Sequence, residues 1–488
     1  MHQFDIVLVK PGSQKQLYGE LSGFELTAVE PPLWGAILAG YLRQKGYSVV
    51  LLDAEVEGWS CEEAARRVVE LRPLLAVVVV SGANPSASTP NMAGAGAIAR
   101  AVKEQSPAMR TMLWGLHPSA LPERTLREEG ADFVCQGEGL YTLPKLLDAL
   151  KAQAGELPIE GLWHWKDGRI VSNPMPRVFP DLGELPMPAW DMLPVERYRA
   201  HNWHCFGHVE SRSPYAVIYT SLGCPFRCSF CCINALFGKR GIRYRPPERV
   251  VEEIDYLVTK RNVRNIKIID EMFVLKKEHV LRLCDLIAQR GYGLNFWANA
   301  RVDTVDAELL SAMKRAGINW VCYGFESANE SVLNEAQKGY DPKTVDAVVR
   351  MTRDAGVYIL ANYVFGLPED DLRTMEQTLA QAMEMNAEWA NFYCATAYPG
   401  SALYEKAVAK GWPLPESWQG YSQHSYEMLP LPTNHLSGPE VLKFRDEAFH
   451  RYFSNPAYLE MITRKFGAET AAHVRKMTSH RLKRKYVP

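Results

Sequence analysis

Gly223-Cys224-Pro225-Phe226-Arg227-Cys228-Ser229-Phe230-Cys231 follows directly on the β-rich run Tyr215–Ser221, and its C-x-x-x-C-x-x-C spacing puts three thiols on one short loop. Thiolates are soft ligands suited to iron–sulfur clusters. Three of them cannot complete the four irons of a cubane, so one iron is left with an open position for a substrate or cosubstrate. A structural zinc site would call for a fourth Cys or His at finger-like spacing. Adjacent Cys232 is the only spare nearby.

Outward from this loop, strand and helix patterns alternate. The β-rich runs Tyr215–Ser221, Asn265–Asp270, Leu294–Asn299, Trp320–Phe325, Tyr358–Phe365 and Trp389–Thr396 are separated by the helical patterns Pro247–Lys260, Lys276–Arg290, Asp306–Ala316, Lys343–Ala355 and Leu372–Met385. Six such units predict an incomplete (β/α)6 barrel with its working groups at the carboxyl ends of the strands. Asp270-Glu271, Arg301, Gly324-Phe325-Glu326-Ser327, Gly366-Leu367-Pro368-Glu369 and Tyr398-Pro399-Gly400-Ser401 all fall on that edge. Each alone reads equally well as a turn or surface residue. Their common edge sets them apart, since carboxylates there can accept from an ammonium or a ribose hydroxyl and an arginine can pair with a carboxylate.

Upstream, the runs Phe4–Val9, Ser48–Asp53, Leu74–Ser81, Met109–Gly115 and Ala131–Gln136 alternate with the helical patterns Leu33–Lys45, Cys61–Leu71, Met92–Glu104, Pro122–Glu129 and Leu140–Leu150. This predicts a Rossmann-like, five-stranded parallel sheet covered on both faces, an α/β fold. Ligands of such sheets sit outside the carboxyl ends of the strands. The loops there are Lys10-Pro11-Gly12, Ser81-Gly82-Ala83-Asn84-Pro85-Ser86, Gly115-Leu116-His117-Pro118 and Gln136-Gly137-Glu138-Gly139. No G-x-G-x-x-G follows the first run, which argues against nicotinamide or flavin. A small hairpin turning at Asp167-Gly168 and a proline-dense stretch from Pro174 to Pro194 form a connector. The expected divisions are 1–155, 156–213, 214–405 and a mostly helical segment 406–488.

At roughly 100–200 residues per domain, the 488 residues hold several domains. A net charge of -1 gives no general attraction to nucleic acid. The basic run His480-Arg481-Leu482-Lys483-Arg484-Lys485 reads as a solvated end. The longest apolar run, Leu74–Val80, is far short of the ~20 residues that span a bilayer. With no signal-like start, a reducing cytoplasm is expected, and the ten cysteines are then core residues apart from the one tight cluster.

The loop and barrel, from Tyr215 to about Glu405, resemble the radical S-adenosylmethionine (SAM) superfamily. The resemblance implies a [4Fe–4S] cluster on Cys224, Cys228 and Cys231 and SAM chelated at the open iron. It also implies cleavage of SAM to a 5′-deoxyadenosyl radical, and an external electron donor such as flavodoxin or ferredoxin. It assigns Phe230, Asp270, Glu271, Arg301, Glu326 and Ser327 to the surroundings of SAM.

The order of domains, the helix opening Glu30-Pro31-Pro32-Leu33-Trp34-Gly35 and the loops at Gly115 and Gly137 are similar to the cobalamin-dependent branch of that superfamily. That likeness implies cobalamin held by Pro11, Ser81, Gly82, Asn84, Gly115, His117, Gly137 and Glu138. The D-x-H-x-x-G signature that supplies a lower cobalt ligand is absent, because the chain reads Lys10-Pro11-Gly12-Ser13-Gln14. His117 is expected as a loop contact or a solvated turn residue rather than a cobalt ligand. The implied activity is a methyltransferase for an unactivated carbon or phosphinate phosphorus of a small molecule, since methylcobalamin can supply the methyl group that the adenosyl radical cannot. A cyclase or ring-contraction enzyme with the same two domains is the alternative. Methylthiotransferases carry a second cysteine trio upstream, whereas here only Cys61 and Cys135 precede the connector. A cobalamin sensor with an inert barrel fits poorly with an intact cysteine trio.

Overall fold

A computed structural model describes residues 2–12, 18–24, 27–82 and 88–487. The first sheet has the order β2-β1-β3-β4-β5-β6-β7. Its parallel part is β1 (Phe4–Lys10), β2 (Val49–Asp53), β3 (Pro73–Val80), β4 (Thr111–Gly115) and β5 (Phe133–Cys135), and β3 is buried along nearly its whole length, as a central strand covered on both faces must be. Five parallel strands match the expectation. The hairpin β6 (Leu162–Lys166) and β7 (Arg169–Ser172) adds two antiparallel strands at the β5 edge, so the sheet has seven strands in all.

The second sheet has the order β15-β14-β13-β12-β11-β8 and is wholly parallel. Its strands are β8 (Tyr215–Ile218), β11 (Asn265–Ile268), β12 (Asn295–Ala300), β13 (Ile318–Glu326), β14 (Tyr358–Phe365) and β15 (Trp389–Cys394). β15 and β8 do not pair, so the barrel is open on one side. A short antiparallel pair, β9 (Ser221–Leu222) with β10 (Arg243–Tyr244), brackets the cysteine loop. Sequence patterning had not indicated it.

The connector is not a solvated tether. Trp190 and Tyr198 are buried at 1% and 0% exposure, and they join the two sheets into one continuous core. The Trp190 indole donates to Glu253 at 2.8 Å and the Tyr198 hydroxyl to Asp53 at 2.9 Å, one tie to each domain. Trp203 meets Trp297 and Trp320 edge to face, with centroids 5.3 and 5.4 Å apart. These rings plug the amino-terminal end of the barrel and leave the carboxyl end as its mouth.

The C-terminal segment covers the open edge of β15. The Gln423 side chain accepts from the Cys394 N–H at 2.9 Å and donates to the Cys394 carbonyl at 3.0 Å. Leu431 N–H donates to the Ala395 carbonyl at 3.1 Å, and Arg445 Nε, on helix Gly438–Phe453, donates to the Phe392 carbonyl at 2.7 Å. The same segment reaches the first domain, where the Trp418 indole donates to Glu129 at 2.6 Å. Tyr452, Phe453 and Tyr458 are core residues. Arg484, expected in a solvated end, is buried instead, because its guanidinium pairs with Asp446 at 2.8 Å and donates to the Ser425 carbonyl at 2.8 Å.

Candidate active site

The cysteine loop is held from several sides. Gly223 has φ +94°, and a Cβ there would lie 2.5 Å from the Gly241 carbonyl oxygen, so only glycine lets the chain turn out of β9. Its N–H donates to Glu271 at 3.1 Å. Further along, Ser229 N–H donates to the Ala336 carbonyl at 2.9 Å, and the Ser229 carbonyl accepts from Leu403 N–H at 2.8 Å. Phe226 lies under the Arg301 guanidinium, 3.9 Å from carbon to ring centroid.

Asp270 is fully buried and spends its carboxylate on the strand that carries the loop. Its Oδ1 accepts from Thr220 N–H at 2.6 Å, and its Oδ2 from the Thr220 and Ser221 hydroxyls at 2.5 and 2.6 Å. It ties the end of β11 to the β8–β9 corner. Burial pushes the Glu271 carboxyl up to about 8, with the Asp270 charge adding to the rise. Phe230 packs with Val332, Leu367 and Leu403 below the loop. Ser327 is turned toward helix Leu372–Met385, its hydroxyl 3.2 Å from Thr378 Oγ1.

Glu326 has φ +61°, a conformation costly for a residue with a side chain, at an irregularity in the β13–β14 pairing. The twist turns its carboxylate onto Lys338 Nζ at 2.6 Å, and both residues are buried. Gly324 leaves the space that this pair fills, since a Cβ there would lie 2.8 Å from Lys338 Nζ. Arg301 pairs with Asp303 through two 2.9 Å bonds and donates to the Lys338 carbonyl at 2.7 Å, while its remaining Nη1 is buried without a partner. Nothing in the local sequence marks Lys338, which meets Glu326 only because the chain folds back.

This donor set fits a cluster with an anionic ligand. Among the described residues no three His, Cys, Asp or Glu side chains gather around one ion-sized point. A zinc would need thiolates within about 2.3 Å of one centre, whereas a cubane takes each thiolate on a different iron. Burial pushes the Cys224 and Cys231 thiols up, so iron must supply the charge that keeps them ionised. The unpartnered Arg301 Nη1, beside Cys224 and Cys228, is a ready donor to a carboxylate arriving at the loop.

Across the mouth lies the carboxyl edge of the first sheet. Pro11 closes β1 and is buried; Ser81 and Gly82 line a cavity of about 80 Å³ at the domain junction, together with Lys10, Glu30, Trp34, Asn91 and Tyr219. Asn84 lies outside the described residues. Gly115, at φ +146°, could not carry a Cβ without striking the Val80 carbonyl. Gly137 N–H donates to Ser119 Oγ at 3.0 Å. Both oxygens of Glu138 face Arg243 beside the cysteine loop, the shorter contact 2.7 Å, making this residue a tie between the domains. His117 is not solvated. It is fully buried against Thr89 at 3.1 Å and against the Trp418 ring with centroids 4.5 Å apart, and burial lowers its imidazole to about 3.

The Radical SAM superfamily model matches residues 218–382, and the B12 binding domain model matches residues 23–147. The chain carries a radical SAM domain and a B12-binding domain. It is 29% identical over 430 residues to an uncharacterized methyltransferase of Pyrococcus horikoshii, covering 88% of this chain and 89% of that one. An anaerobic magnesium-protoporphyrin IX monomethyl ester cyclase of Rubrivivax gelatinosus is 26% identical over 448 residues, covering 90% and 76%. The fold is that of the radical SAM methyltransferase TsrM of Kitasatospora setae, solved with cobalamin and a [4Fe-4S] cluster, at a TM-score of 0.70 and 16% identity over 98% of this chain and 100% of that one. No helix among the described residues is long and apolar enough to cross a membrane.

Proposed function

We propose that the protein is a cobalamin-dependent radical SAM methyltransferase acting on an unactivated carbon, or a phosphinate phosphorus, of a small molecule. The observation that carries this reading is the facing of two edges: the cysteine loop with its unpartnered Arg301 Nη1 at the barrel mouth, and the loops of the B12-binding domain opposite. The methyltransferases among its relatives support it. When bound, the reduced cluster would cleave SAM to a 5′-deoxyadenosyl radical, and cobalamin would supply the methyl group.

The chain's own residues have the following parts. Cys224, Cys228 and Cys231 hold the cluster; Arg301 receives the carboxylate of SAM; Asp270 and Glu271 fix the loop; Glu326 and Lys338 form the buried floor beneath it. Ser81, Gly82, Gly115, His117 and Gly137 shape the cobalamin edge. The electron comes from an external flavodoxin or ferredoxin, in keeping with a cytoplasmic enzyme.

The cyclases among the relatives make a non-methylating oxidation or cyclisation the second reading. Reduced, reconstituted protein given methyl-labelled SAM separates the two. A methyltransferase is expected to move the label onto the corrinoid and release S-adenosylhomocysteine, with 5′-deoxyadenosine forming as well. Formation of 5′-deoxyadenosine with no S-adenosylhomocysteine favours the second reading.

A further inference from the structure

Asn91 holds a hydrogen-bonding atom that nothing in the described chain answers. It lies in the first turn of helix Ser88–Gln105, above the end of β3, and is 4% exposed. Its amide nitrogen donates to the Ser81 carbonyl at 2.9 Å. That bond settles which way the amide is turned, because a carbonyl accepts only from the N–H side. The amide oxygen Oδ1 therefore points away from Ser81, where it is buried without a partner, and the residue lines the junction cavity. A buried acceptor left unmet is costly, and a ligand that donates to it recovers the loss.

The cavity walls define what fits. About 80 Å³ is far too small for a macrocycle and suits one terminal group of a few atoms. Lys10 Nζ already donates to the Glu30 carbonyl at 2.5 Å and pairs with Glu55 at 2.9 Å, while Lys267 pairs with Glu30 at 3.2 Å. With the wall carboxylates matched in this way, a second cation gains little, and an anion would meet Asn91 Oδ1 as a repelling acceptor. The remaining fit is a neutral hydrogen-bond donor, and a flat primary amide can lie against Trp34 and Pro31.

We propose that this cavity receives one primary-amide arm of the corrin periphery, with Asn91 Oδ1 accepting its N–H, an assignment that rests on the cobalamin reading above. The cavity opens at the carboxyl ends of β1 and β3, the edge on which the corrin would lie, and the ring carries several acetamide and propionamide arms able to reach inward.

The test uses the full chain with its cluster reconstituted and corrinoid removed, without substrate, so that only the cofactor supplies amides. It is titrated with aquacobalamin and with a series of derivatives in which each acetamide or propionamide in turn is hydrolysed to a carboxylate. Asn91→Leu keeps the side chain's shape and is expected to bind aquacobalamin about tenfold more weakly. At least one derivative is expected to bind the unaltered chain more weakly by a similar factor, and Asn91→Leu should no longer disfavour that derivative, the signature of a direct contact. The derivative series on the unaltered chain decides the matter even if Asn91→Leu folds poorly. Equal affinity for cobalamin and every derivative, or unchanged affinity in a folded Asn91→Leu, overturns the proposal and leaves the cavity to water. An unaltered chain that takes up no cobalamin at all overturns the cofactor reading and this inference with it.

Discussion

At the scale of single residues, the buried pair Glu326–Lys338 is the least conventional part of the site. Replacing one member leaves the other buried and alone, which costs about 3–5 kcal/mol, whereas replacing both with apolar residues of similar volume costs far less. Lys338→Met is accordingly expected to lower the urea midpoint sharply, and Lys338→Met with Glu326→Leu to recover most of the loss. Because Lys338 also senses the charge on Cys228, the single variant should shift the cluster's reduction potential downward, read by redox titration. Cys228→Ala tests the ligand itself: iron content and cluster absorption should be lost while cobalamin binding persists. The three-cysteine loop and its place after the first barrel strand were legible from spacing and pattern alone. Lys338 was not, since its partner is set by a fold-back and by a left-handed residue at the end of β13, neither of which leaves a local signal. Asp270 was picked out for its place at a strand end, but its three acceptor bonds to Thr220 and Ser221 appear only once β11 lies beside β8.

At the scale of elements, alternation predicted both sheets because buried parallel strands leave apolar runs between amphipathic helices. Strand pairing across the hairpin was not legible, since nothing in Leu162–Lys166 says which sheet edge it will meet. The β3–β4 edge offers a test confined to one domain. Gly115→Ala forces a Cβ toward the Val80 carbonyl at φ +146°. A cost of about 1–3 kcal/mol is expected, with loss of cobalamin binding and unchanged iron content, both read on the purified protein. Retained corrinoid uptake would mean that this loop does not shape the cobalamin site.

For the whole molecule, acid should be a specific weakness. His117 and His204 are buried and neutral, each lowered by burial to about 3 from an ordinary 6.5. Between those values the unfolded chain binds more protons than the folded one, so their contribution is intact above pH 6.5 and is lost as pH falls toward 3. Each steepens the fall by up to about 1.4 kcal/mol per pH unit. Denaturation curves from pH 7 to pH 4 should show the loss, and His117→Asn should shallow it. The covering of β15 by residues after Gln423 has a different consequence, one of timing. On the ribosome the N-terminal domain emerges first and can begin to fold at once. The barrel, by contrast, presents a bare strand edge until the last part of the chain has been made. A nascent chain stalled before Gln423 should therefore be the aggregation-prone species of this protein, and light scattering of a chain truncated there should exceed that of the full chain.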